Sequence, residues 1–125
     1  MTAQNHTAIA IDFLTLCATG QVRQAYDLYV SGHFRHHNAY YPEDRESLLR
    51  GMEQSAASEP HKSFTVQQTI ASQDRVAVYS HLRLETAQMD IAVVHILRFE
   101  GGKIAEMWDV CQQIPQDSPN QLGMF

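Results

Sequence analysis

At Pro60 the apolar residues of this chain change their spacing from three and four residues to two, and that change decides which class of fold is open to it. Spacing of three and four lays a stripe along a helix, whereas spacing of two puts every second side chain on one face of a strand. Helices first and strands afterwards define an α+β chain, three N-terminal helices followed by a mainly antiparallel sheet. A length of 125 residues suits one core, so residues 1–125 are read as a single domain.

Ile9, Phe13, Leu16 and Cys17 recur along a first helix over 4–19, and Gly20 offers a stop behind it. Val22, Ala25, Tyr26, Tyr29 and Val30 mark a second helix over 21–31, followed by Gly32. The aromatic and imidazole stretch 33–43 has no clean period, and Pro42 turns Tyr41 away from helical torsions, so it reads as an ordered loop. Asp44 caps a third helix with Leu48, Leu49, Met52 and Ala56 along one side, and Pro60 ends it.

Beyond Pro60, Phe64, Val66 and Ile70 alternate with Thr65, Gln67 and Thr69 in a half-buried strand. A turn at Gln73 and Asp74 leads to a second strand, in which Val76, Val78, Leu82 and Leu84 oppose Tyr79, His81, Arg83 and Glu85. The β-branched run IAVVHILRF reads as a central strand covered on both faces, and the turn at Glu100, Gly101 and Gly102 returns the chain along a last strand over 103–113, making four.

The register of that last hairpin carries the site. A three-residue loop with a glycine bulge sets Phe99 opposite Lys103, His95 opposite Met107 and Val93 opposite Asp109. His95 and Asp109 then become diagonal neighbours on one face. A two-residue loop instead sets His95 against Trp108 and turns Asp109 to the other side. The longer loop is preferred because it lets both polar groups of an apolar strand pair share one cavity. Trp108 then lies with Val94 and Ile96 on the outer face, where a sheet-to-sheet homodimer contact is expected.

A net charge of −5, with no basic cluster, argues against nucleic acid as a partner, and no basic amphipathic stretch suits a membrane surface. The opening stretch lacks the basic start of a secretory leader. Cys17 and Cys111 are too few for a disulfide framework and read as buried free thiols of a reducing, cytoplasmic setting. Seven histidines raise the question of a metal, but no HExxH, paired-cysteine or facial-triad spacing is present, and no metal is expected. Phosphate loops, dinucleotide fingerprints and serine elbows are missing too, so no cofactor is expected.

FRHHN at 34–38, VVHILRFEGGKI at 93–104 and EMWDVCQQIP at 106–115 resemble the SnoaL-like polyketide cyclase branch of the nuclear-transport-factor-like superfamily, which also holds ketosteroid isomerase and scytalone dehydratase. The resemblance covers almost the whole chain and implies a cone-shaped, curved, mainly antiparallel sheet that wraps over the three N-terminal helices and encloses a pocket. In the cyclases a histidine and an aspartate on adjacent strands serve aldol ring closure, and His95 and Asp109 look like that pair, with the aspartate as acid/base. His37 matches a histidine near the pocket mouth of that branch. Where many relatives read EHWD this chain reads EMWD, so the apolar Met107 replaces one polar contact.

The resemblance therefore implies a cofactor-independent enzyme of aldol condensation, cyclisation or isomerisation on a small carbonyl compound, with Asp109 as acid/base, His95 as its partner and His37 assisting. The same cone hosts dehydratases, isomerases, hydrolases and non-catalytic binders. The alternative is thus a small-molecule-binding domain without turnover, and a third reading is a subunit acting through its dimer surface. The plain structural reading makes His95 a satisfied core histidine and Asp109 a local cap.

Overall fold

Helix α1 (Ala3–Ala18) buries Ala10, Phe13, Leu14 and Cys17 along one stripe, as their spacing requires. Gly20, at φ +90°, ends it: its N–H donates to the Cys17 carbonyl, and the next N–H, from Gln21, reaches back to Leu16. Helix α2 (Val22–Tyr29) inserts Val22, Ala25 and Tyr26 beside it. The computed structural model describes residues 3–125, and Met1 and Thr2 of the opening stretch lie outside it. No described helix is long and apolar enough to cross a membrane.

Here the chain departs from expectation. The second helix stops at Tyr29, two residues early, and Val30 is already extended. The stretch read as a loop opens with strand β1 (Val30–His36), with Val30, Phe34 and His36 buried. Strand β1 runs parallel to the last strand, and its register shifts between Val30 and Arg35. That irregularity breaks the two-residue period, so the sequence carried no clean strand signal.

Helix α3 (Arg45–Ser58) starts as expected: Asp44 Oδ2 accepts the Ser47 N–H at 2.9 Å, and Ser47 Oγ donates to Asp44 Oδ1. Leu48 and Leu49 face the core. At its far end the buried Glu59 carboxylate accepts the backbone N–H groups of Thr86 and Ala87, both at 2.9 Å. This ties the helix to the turn between the third and fourth strands.

Strands β2 (Ser63–Ser72), β3 (Arg75–Leu84), β4 (Met89–Glu100) and β5 (Lys103–Gln113) complete an open, curved, mixed sheet of five strands in the order β1-β5-β4-β3-β2. Strand β4 is central, as its apolar run predicts. Val76, Val78, Leu97, Phe99, Ile104 and Met107 line the inner face and pack on Phe13, Tyr26 and Leu48. Tyr79 and His81 lie on the outer face: His81 bonds Asp90, and the C-terminal Phe125 packs on both rings. Two expectations fail. A shift at Gln67 turns Ile70 outward, where it is 67% exposed, and Cys111 is exposed rather than buried.

The β4–β5 hairpin also corrects the expected loop. Gly101 and Gly102, at φ +56° and +81°, form a two-residue turn that pairs Glu100 with Lys103 and Phe99 with Ile104. Ala105 is then an extra residue, and pairing resumes at Arg98 with Glu106. His95 therefore stands directly opposite Asp109, not diagonal to it, and Trp108 opposite Ile96 on the other face. The one-residue bulge reverses the consequence that the short turn alone has for Asp109.

Candidate functional site

A cavity of about 260 Å³ lies between α1, α3 and the inner face of the sheet. Its walls are mainly apolar, with Leu14, Leu48, Met52, Phe64 and Val93 among them. Into this setting project His95 and Asp109 from the central strands, Asn38 from the connection after β1, and Lys62 from the residue just before β2. Tyr41 lies over Gly51 of α3: a Cβ at Gly51 would come within 2.5 Å of the Tyr41 ring, so only glycine lets the ring rest there.

His95 is buried, with the edge of the Phe64 ring at 6.2 Å between centroids. Its Nδ1 has no hydrogen-bond partner among the described residues. Burial pushes its pKa down to about 4, against the opposing pull of the Asp109 carboxylate. At neutral pH it is therefore an uncharged imidazole, with one N–H donor and one acceptor nitrogen. Directly opposed residues on antiparallel strands hold their Cβ atoms roughly 5 Å apart, so one small ligand can touch both groups.

Asp109 Oδ2 accepts a hydrogen bond from Asn38 Nδ2 at 2.8 Å. The orientation of that amide is fixed from its other end, where Asn38 Oδ1 accepts the Tyr40 N–H at 2.9 Å. His36 in turn holds the loop: its Nε2 bonds the Pro42 carbonyl at 2.7 Å, and its Nδ1 accepts the Asn38 N–H at 3.1 Å. The buried His36 is thus a positioning residue for Asn38. No hydrogen bond from a described residue engages Asp109 Oδ1, and the residue lines the cavity.

His37, the third residue expected here, lies elsewhere. His37 follows β1 directly and its N–H bonds the Met107 carbonyl at 2.9 Å, so the extended alternation carries on by one residue: with His36 inward, His37 points to the outer face. There it stacks flat on Trp108 at 4.9 Å and bonds Glu106 Oε2 at 2.7 Å. It is not among the described residues that line the cavity. Asn38 and Lys62 line the cavity but were missed. The HHN stretch pointed to the right segment, and only the facing of β1 selects Asn38 over His37.

The chain belongs to the SnoaL-like domain family, whose family model matches residues 10–107. Its fold is that of the nuclear-transport-factor-like superfamily. Solved structures of like shape include AclR, a candidate hydroxylase from Streptomyces galilaeus, at 20% identity and a TM-score of 0.78, covering 89% of this chain and 91% of that one. Wild-type IdmH, a candidate polyketide cyclase from Streptomyces antibioticus, is 20% identical at a TM-score of 0.67, covering 82% and 88%. A candidate ketosteroid isomerase from Kribbella flavida is 16% identical at a TM-score of 0.73, covering 95% and 86%. Likeness at this identity establishes the fold alone. No curated protein matches the chain.

Proposed function

We propose that this protein is a cofactor-independent acid–base catalyst acting on a small carbonyl compound, with Asp109 as the base. The observation that carries the reading is the direct opposition of His95 and Asp109 within one mainly apolar cavity, with the Asn38 amide aimed at one carboxylate oxygen. Asp109 Oδ1 takes a proton from the carbon next to the carbonyl, and the C–H electron pair moves into an enolate. The neutral His95 ring donates its N–H to the developing enolate oxygen. The proton then returns from Asp109 to a different carbon in an isomerisation, or to the new alkoxide when the enolate carbon attacks a second carbonyl. The candidate polyketide cyclase and ketosteroid isomerase of like fold support this class of chemistry.

Deuterium exchange at the α-carbon of 2-tetralone, followed by NMR, tests the reading without the natural substrate. The protein accelerates exchange over buffer, and Asp109→Asn lowers that acceleration by about 10²-fold or more. Exchange at the buffer rate with 2-tetralone demonstrably bound favours the alternative, a binding domain without turnover. The outer sheet face, with Trp108, Ile96 and a Val110 that is 75% exposed, supports a homodimer. The free thiols Cys17 and Cys111 suit a cytoplasmic setting.

A further inference from the structure

We propose that Lys62 and Ser55 form an anion-recognition subsite, so that the ligand carries a carboxylate or equivalent anionic oxygen at the end opposite its reacting carbonyl. The inference rests on the cavity being the substrate site and adds the class of compound it takes. Lys62 is the one lysine or arginine among the described residues that line the cavity. It is half-buried, its Nζ donates to Ser55 Oγ at 3.0 Å, and no described carboxylate lies within ion-pair distance of it. Two titratable groups bear on it: the Cys17 thiol, which burial keeps protonated and uncharged with a pKa pushed up to about 12, and Glu59, whose carboxylate oxygens are engaged by the Thr86 and Ala87 N–H groups. An ammonium has three N–H donors, of which Lys62 uses one on protein. Taking such a group out of water without a counter-charge is unfavourable, and that cost is recovered when an anion enters beside it. The same burial holds the pKa of Lys62 below its ordinary value.

The placement separates this charge from the reacting groups. Phe64, two residues after Lys62, pairs with Leu82, and Leu82 with Ile91. Four residues of β4, about 13 Å of strand, separate Ile91 from His95. On the helical side, Ser55 lies one turn of α3 beyond Gly51, over which Tyr41 rests. The four-carbon stem of Lys62 closes part of this distance, and a ligand of one or two rings spans the rest. Its anion then sits on Lys62 and Ser55, while its carbonyl lies by His95 and Asp109.

Calorimetric titration with 2-naphthoate and its neutral isostere 2-naphthamide provides the test. The protein binds naphthoate at least about tenfold more tightly than naphthamide. Lys62→Met abolishes the preference by weakening naphthoate far more than naphthamide, while Lys62→Arg, which keeps the charge, keeps the preference. Failure of naphthoate to bind, equal affinity for the two probes, or a preference that survives in Lys62→Met overturns the proposal. Asp109→Asn retains the preference, which separates the two readings. If that variant also keeps full exchange of 2-tetralone, the acid–base assignment falls and anion recognition stands. If it loses exchange while the protein shows no anion preference, the reverse holds.

Discussion

Replacing His95 by leucine removes the buried imidazole at similar volume, and the consequence for stability depends on pH in a way the structure predicts. In the unfolded chain an imidazole takes up a proton as pH falls through about 6.5. In the folded protein burial delays that uptake to about 4. Between these values the unfolded state binds more protons, so the folded state keeps its full margin above pH 6.5 and loses it as pH descends toward 4. Integrating the two titrations from pH 7.5 to pH 5.0 gives a loss of about 2 kcal/mol from this group. Asp44, Asp90, Glu100 and Glu106, whose hydrogen-bond partners hold their pKa values low, destabilise the protein in the same acid direction. They do so in parent and variant alike and cancel in the difference.

At pH 7.5 the variant also loses the unpartnered Nδ1, a relief on the order of 1 to 3 kcal/mol. Urea denaturation of both proteins at the two pH values reads the effect. His95→Leu is more stable than the parent at pH 7.5, and its advantage grows by about 2 kcal/mol at pH 5.0. An advantage that stays constant with pH would refute the burial argument, and so would a variant less stable at both values. Under the proposed acid–base role the same substitution also removes exchange activity, the trade of stability for function expected of a catalytic group.

Gly51→Ala adds a methyl where the Tyr41 ring lies, and the ring is the part that can move. The variant therefore keeps its thermal stability, or gains up to about 1 kcal/mol from helix propensity, while 2-naphthoate binds at least about fivefold more weakly in titration calorimetry. Glu59→Ala leaves two backbone donors at the β3–β4 turn without their acceptor; it costs about 2 to 3 kcal/mol in urea denaturation and speeds amide exchange at Thr86 and Ala87. Val110→Asp places a charge on the exposed outer sheet face and shifts sedimentation from dimer to monomer without changing the circular dichroism spectrum. A parent protein that sediments as a monomer refutes the dimer assignment.

Local chemistry wrote much of this fold openly. Phe13 and Cys17 at helical spacing, Asp44 before a helix, Gly20 after one and the alternation of Val76 and Val78 each depend on neighbours within one turn or one strand, and each stands where its spacing put it. Strand β1 was hidden because its partner β5 lies some seventy residues away and its register is irregular. The facing of particular side chains was harder still. Ala105 restores His95 and Asp109 to one face, the shift at Gln67 sends Ile70 outward, and the pairing of β1 turns His36 in and His37 out.

Sequence alone thus determined the three helices, the four strands β2 to β5 and the family motifs, and it singled out His95 and Asp109, which both line the cavity. Tertiary structure alone decided that Asn38 rather than His37 attends Asp109, and that Lys62 reaches the cavity. The physical reason is that a period is a property of the chain's own geometry, whereas a single extra residue in a strand reverses every side chain beyond it. Where that residue falls is settled by pairing and packing between segments distant in sequence, and no local signal records it.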